Sequence, residues 1–227
     1  GGVSVCLASP VKDEYTNPPL DLPAGESTLV GDEALSFLRS RHGVGDGSDL
    51  GRISNQQVFL SALARKVVSG GVLANPVQLY ALAKAAVQNI TPSDTLTNPT
   101  TFVQIALALK DTGLQNMVFL QYPAVSDPDN PNRVVPDQYA ASAVNDALVN
   151  DQPVTLTGTT GRAAEDPTAT ATPTPTDSST PASTPTTAPG DTGSGTPAPT
   201  TTSGTVELPS NVTGQTAAQQ TCTKGNN

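Results

Sequence analysis

The sequence has no tryptophan, a single histidine, a single methionine and two cysteines, and aromatic residues fill only 4% of its 227 positions. Cys6 and Cys222 lie near opposite ends, without the paired spacing that a zinc site needs. His42 has no serine or cysteine at a recognisable distance, so no nucleophile, base and acid triad can be named. Positive charge is scarce, with 11 Lys and Arg against 20 Asp and Glu. A net charge of −9 excludes a broad nucleic-acid surface, because phosphate backbones are held by dense basic residues. No apolar run approaches the ~20 residues that span a bilayer, and no charged-then-apolar leader opens the chain. An initiator methionine is also missing, and the chain starts on the strand-like Gly1-Gly2-Val3, so a preceding part is expected.

What is present falls into three segments. Residues 1–156 carry the apolar periodicities of one folded domain, 157–203 form a Thr/Pro/Ser/Gly linker, and 204–227 make a short C-terminal segment. Residues 3–8 are β-prone, and Pro10 with Asn17-Pro18-Pro19 then predicts a loop. A first helix is expected over 32–41, where Ala34, Leu35, Phe37 and Leu38 make one face and Asp32 and Glu33 suit the positive end of the dipole. Ser48-Asp49 caps a second helix over about 50–68, which Gly70-Gly71 stops. Asn75-Pro76 and Asn98-Pro99 each open a further helix, reaching about Gln88 and ending before Gly113. Met117 to Tyr122 reads as a buried strand, and a fifth helix opens at Pro136. The order predicts an α/β (α+β layered) fold, a central sheet flanked by helices, with too few strands here for a complete sheet. The Thr-Pro runs offer no apolar face and should be extended and disordered. Residues 204–227 either add an edge strand or stay a mobile tail.

The scarce positive charge is concentrated. Five of the eleven basic residues, Arg39, Arg41, Arg52, Arg65 and Lys66, fall in one stretch, where an anion site should be sought. Residues two apart on a regular helix diverge by about 200°, so Arg39 and Arg41 converge only if the second lies past the last turn. Gly43, Gly45 and Gly47 permit that. Two guanidinium forks match phosphate oxygens bidentately, better than lysines do. Arg52 and Gln56, one turn apart near the start of the next helix, make a second element facing the first. Asp49 is the nearest carboxylate, and it caps the helix, orients Arg52 or does acid/base work. A plainer reading pairs these arginines with Asp32, Glu33, Asp46 and Asp49 on the surface. His42 stabilises the helix C-terminus or faces solvent. The glycine cluster lacks the lysine and the preceding strand of a nucleotide-binding loop. The cysteines form one disulfide, or Cys6 is buried in its strand or pairs elsewhere.

Four motifs in order resemble the LytR-CpsA-Psr family: Gly-Gly-Val-x-Val-Cys-Leu at 1–7, Leu-Pro-Ala-Gly at 22–25, Gly-Asp-Glu-Ala-Leu-Ser-Phe-Leu-Arg-Ser-Arg-His at 31–42 and Asp-Leu-Gly-Arg-Ile-x-x-Gln-Gln at 49–57. A looser likeness runs to about Asp151, and the Thr/Pro linker with its cysteine-bearing end is similar to extensions of actinobacterial members. The resemblance implies a phosphotransferase that moves a glycopolymer from a polyprenyl-pyrophosphate carrier to peptidoglycan, at the extracytoplasmic face of the cell membrane or in the cell wall. It implies that Arg39 and Arg41 grip the pyrophosphate, with Arg52 and Gln56 as further substrate contacts and Asp49 with Arg52 in catalysis. The apolar helices at 58–68, 76–88 and 99–109 would wall the lipid cavity. It also implies Mg2+, with its ligands and the membrane anchor upstream of Gly1, so that this chain alone is inactive. Asn55 stands where the family has arginine, which implies one positive charge fewer in the site. Two other functions compete: a non-catalytic module binding cell wall or polyprenyl phosphate, and a transcriptional attenuator, for which the acidic chain has no basic DNA-facing helix. Under the passive-tail expectation, deleting 157–227 leaves transfer intact.

Overall fold

A computed structural model describes residues 1–71, 73, 75–89, 91, 96–110, 112–168 and 204–226. In chain order the first elements are β1 (Val3–Leu7), β2 (Val11–Asp13), β3 (Leu20–Leu22), β4 (Gly25–Leu29), α1 (Gly31–Arg39) and α2 (Asp49–Ser69). They continue with α3 (Pro76–Asn89), α4 (Pro99–Lys110), β5 (Val118–Leu120), β6 (Ala124–Ser126), β7 (Val134–Pro136), α5 (Gln138–Val149), β8 (Val154–Thr155) and β9 (Ala164–Glu165). The last are β10 (Val206–Glu207), β11 (Gly214–Thr216) and β12 (Cys222–Thr223). Mixed helices and strands bear out the α/β layered expectation.

The central sheet has the order β4-β1-β12-β9. Period-two alternation makes β1 work: Val3, Val5 and Leu7 are buried while Ser4 faces out. Its inner face meets α2, and Phe37, Phe59, Ala62, Leu29 and Val44 complete the main core. A second, smaller core gathers Ala140 and Val144 of α5 with Leu208 and Val212. Residues of the small sheets β10-β8 and β11-β5 pack against it, and β6-β7 forms a further two-stranded sheet.

The C-terminal expectation is corrected. Strand β12 is interior, parallel to β1 on one side and antiparallel to β9 on the other, and is neither an edge nor a tail. Strand β9 falls within the expected linker 157–203, where Ala163 joins the main core and Ala164 is buried. The linker expectation for 169–203 lies outside the described residues. The loop expected after Pro10 contains the β2-β3 hairpin, whose Val11, Leu20 and Leu22 are buried. The strand near Met117 shortens to β5 and is only half buried, since its one strand partner is β11. Helix α5 starts at Gln138 with Asp137 as its cap, because Pro136 ends β7.

Of the cysteine alternatives, the structure forms the Cys6–Cys222 disulfide between register partners on β1 and β12. The bond closes a loop with a sequence separation of 216. Replacing both cysteines by serine is expected to cost about 3 kcal/mol, the middle of the usual range, mainly by freeing the unfolded chain. Thermal unfolding with and without a reductant checks this. Equal melting temperatures for oxidised and reduced protein would contradict it.

Candidate functional site

The basic stretch folds as an antiparallel hairpin of α1 and α2 around the glycine loop. Ser48 is the N-cap of α2 and accepts from the Gly51 amide at 3.1 Å. Asp49 is therefore not the cap. It lies in the first turn, where its Oδ1 is 3.1 Å from the Arg52 Nη2 and 3.7 Å from the Arg41 Nε. Two guanidiniums thus converge on one carboxylate oxygen at the positive end of a 21-residue helix. Arg41 also donates from Nε to the Gly47 carbonyl at 3.3 Å. Among the described residues the Arg39 side chain makes no hydrogen bond or ion pair, and its fork is exposed at the end of α1. The surface-pairing reading holds for Arg41 and Arg52 through Asp49, while Asp46 pairs with Arg162 at 2.7 Å instead.

The Gln56 side chain is engaged with α1 and not with the Asp49 cluster. Its Nε2 donates to the Leu38 carbonyl at 3.0 Å, and the neighbouring Asn55 Nδ2 donates to the Phe37 carbonyl at 2.8 Å. The last turn of any helix leaves carbonyls without intrahelical partners, and α2 supplies two of them here. Asn55 is fully buried and its Oδ1 accepts from the Thr223 hydroxyl at 2.8 Å, so α1, α2 and β12 are joined through one amide. The position read as a lost site charge is an interior junction. An arginine there would have to reach out from a fully buried seat.

Strand β12 and its flanks also pin the glycine loop. The Gly45 amide donates to Lys224, the Asn226 amide to Gly43, and the Asn226 side chain to His42, at 2.9, 3.0 and 2.9 Å. Gly45 has φ 59 and Gly47 φ 73, backbone that favours glycine, and a side chain at 45 would press on Ala163 and on the Arg162 carbonyl.

Sequence reasoning missed Asp13. Only 3% exposed at the end of β2, it accepts from the Ser40 hydroxyl at 2.7 Å, from the Arg41 and Gly43 amides at 3.2 Å each, and from the Tyr15 amide at 3.0 Å. Burial pushes its carboxyl up, but the bonds from Ser40, Tyr15, Gly43 and Arg41 together outweigh that and hold it below the ordinary 3.8. Asp46 behaves alike: burial opposes, and the Ser48 hydroxyl and Arg162 prevail. The alternating buried pattern of β2 is the one signal that could have found Asp13, since it puts the carboxylate on the same face as Val11. His42 stacks its ring on Tyr15, with centroids 4.7 Å apart and planes tilted by 51°.

Farther along the hairpin is an open apolar groove of about 850 Å³, lined by Val3, Leu29, Ala34, Phe59, Leu63 and Leu82 among others. Lys66 stands at its rim and donates to the Gly2 carbonyl. Helices α2 and α3 contribute to it as expected, and among the described residues α4 does not. From Arg52 to Phe59 the helical rise separates cluster and groove by about 10 Å along α2. Among the described residues no three His, Cys, Asp or Glu side chains are grouped to hold a metal ion. Among them, no helix is long and apolar enough to cross a membrane.

Comparison with known proteins adds the following. The chain is 36% identical over 126 residues to a cell wall biosynthesis protein, LcpA, of Corynebacterium glutamicum, a match covering 56% of this chain and 23% of that protein. It is 36% identical over 91 residues to a probable cell wall biosynthesis protein, LcpB, of the same organism, covering 40% and 21%. The matches thus span about a quarter of the length of these curated relatives. The crystal structure of B. subtilis TagV aligns with a TM-score of 0.47 at 22% identity, over 66% of this chain and 56% of that one. The model of the LytR_cpsA_psr family matches residues 1–150, most of the described chain and the whole Arg39 to Gln56 hairpin. The chain belongs to the LytR-CpsA-Psr family.

Proposed function

We propose that the chain serves cell-wall assembly as part of a phosphotransferase that moves a glycopolymer from a polyprenyl-pyrophosphate carrier to peptidoglycan. The observation that carries this reading is the convergence of Arg41 and Arg52 on one Asp49 oxygen at the start of α2, with the Arg39 fork exposed at the end of α1. A pyrophosphate entering there meets two preset guanidiniums and the helix dipole, and Arg39 can close on it without leaving another partner. Asp49 orients both arginines and takes the acid/base role toward an incoming hydroxyl. The role read for Gln56 becomes indirect: its amide fixes the α1 end that carries Arg39 and Arg41. The apolar groove, about 10 Å away along α2, suits a prenyl chain.

The divalent metal is assigned to residues outside this chain, and no step is drawn through it. On that reading the 227-residue chain is expected to be inactive by itself. Its relatives are named as cell wall biosynthesis proteins, and a disulfide persists in oxidising surroundings, which together support a place on the outer side of the membrane.

Substituting Arg39→Ala or Arg41→Ala in the full-length protein is expected to weaken prenyl-pyrophosphate binding by about 1.5–3 kcal/mol each, the scale of hydrogen bonds to charged groups. Titration calorimetry reads it. Unchanged affinity in both would return these arginines to the role of surface ion pairs. Unchanged binding with no transfer by the wild-type protein would favour a non-catalytic lipid- or wall-binding module.

A further inference from the structure

The exposed aromatic pair beside the arginine loop has no part in the reading so far. Tyr15 is 83% exposed, yet it is not on a loose loop. Its amide is held by Asp13 Oδ1, the Thr16 hydroxyl donates to the Asp13 and Pro18 carbonyls at 3.0 and 2.9 Å, and Ser36 of α1 donates to the Pro18 carbonyl at 2.8 Å. The other oxygen of the same Asp13 carboxylate holds the backbone of Arg41 and Gly43. One buried group therefore sets both the ring and the guanidinium-bearing segment. His42, next to Arg41, backs the tyrosine ring at 4.7 Å, and its carbonyl is tied to Asn226.

A single exposed aromatic is ordinary on a protein surface. A ring that is exposed, preset and backed, and that shares its support with an anion-binding segment, has the makings of a recognition element, because little ordering remains to be done on binding. Its chemistry is amphipathic: an apolar face and a hydroxyl that bonds polar groups. A pyranose ring offers the complement, one face of C–H groups and a rim of hydroxyls. From this we propose that Tyr15, backed by His42, is a stacking platform for a sugar ring held next to the phosphate bound at Arg41. Asp13 is the positioning residue that keeps platform and arginine in register. The proposal rests on the pyrophosphate reading for the neighbouring site but uses its own residues. The ring bound belongs either to the donor, on its distal phosphate, or to the acceptor glycan.

The test is titration calorimetry on the full-length protein with three probes: a prenyl diphosphate, the same lipid bearing one N-acetylglucosamine, and a soluble peptidoglycan disaccharide. Tyr15→Ala should leave the bare prenyl diphosphate unaffected. It should reduce the added affinity due to the sugar, or the affinity for the disaccharide, by about fivefold, the scale of one aromatic contact. Loss on the glycosylated lipid assigns the platform to the donor, and loss on the disaccharide assigns it to the acceptor. Tyr15→Phe should keep most of the effect, and an unchanged melting temperature in both variants excludes misfolding. If the wild type binds prenyl diphosphate and Tyr15→Ala alters neither sugar response, the platform is refuted and the pyrophosphate reading stands. If no prenyl diphosphate binds but the disaccharide does so through Tyr15, the reverse holds.

Discussion

Deleting residues 204–227 is expected to abolish the cooperative thermal transition of the chain. The segment supplies β12, which pairs on both sides within the main sheet, so its removal separates β1 from β9. It removes the disulfide, worth about 3 kcal/mol. Buried partners are stranded as well. Asn55 loses Thr223, and Ser61 and the Gln57 carbonyl lose the Gln215 amide, which lies fully buried at 2.7 and 3.2 Å from them. Arg65 loses the Ala217 and Gln219 carbonyls it donates to. Each stranded buried group costs about 1–3 kcal/mol, and a domain of this size has only about 5–15 kcal/mol in all. Far-ultraviolet circular dichroism during heating checks the outcome. A truncated chain that melts sharply near the intact protein's temperature would refute the interior role of β12. The passive-tail expectation is thereby reversed: deleting 157–227 should eliminate transfer by loss of fold, since it removes β9 and β12 together.

Asp13→Ala should destabilise the fold by about 4 kcal/mol. The Ser40 hydroxyl and the Gly43 amide are left buried without an acceptor, and the Arg41 amide partly so, at about 1–3 kcal/mol per group. Asp13→Asn should be milder, because its amide oxygen can keep the Ser40, Arg41 and Gly43 donors while its N–H2 opposes only the Tyr15 amide. The effect depends on pH with a definite sign. A carboxyl held below its ordinary 3.8 in the folded state stabilises the fold above that value, and the contribution fades as pH falls through the lower, folded pKa. Denaturant titrations of wild type and Asp13→Ala should therefore differ most near neutrality and converge under strongly acidic conditions. Asp46 adds a slope of the same sign, but it is common to both proteins and cancels in the difference. A gap that widens on acidification would contradict this assignment.

The helices were legible because they carry long-range periodic signals. Ser48, Asn75 and Asn98 cap α2, α3 and α4 through their own side chains, at or next to the expected starts. Strands of two or three residues carry no period to read. Strand β12 is Cys-Thr, and nothing in that dipeptide distinguishes the interior of a sheet from a tail. Its place is fixed by partners more than fifty residues away, the β9 register and the Cys6 bond.

The site was legible for a similar reason and illegible for a different one. Clustered arginines on either side of a glycine turn point to a candidate anion site through charge alone, and Arg41 and Arg52 do meet at Asp49. Gln56 is expected at that site because it sits one turn from Arg52, and Asn55 only because the resemblance has arginine there, whereas unfilled carbonyls at the end of α1 draw both amides inward. Asp13 carries the same charge as nineteen other acidic residues, and only its burial among donors gives it a role.

The central claim is that a pyrophosphate sits between Arg41 and Arg52 at the start of α2. A crystal structure of the full-length protein with a prenyl diphosphate tests it most directly. The account predicts phosphate oxygens within hydrogen-bonding distance of both guanidiniums, Arg39 turned toward them, and the prenyl chain running into the groove lined by Phe59 and Leu63. Phosphates bound elsewhere, with Arg41 and Arg52 still paired to Asp49 alone, would contradict it.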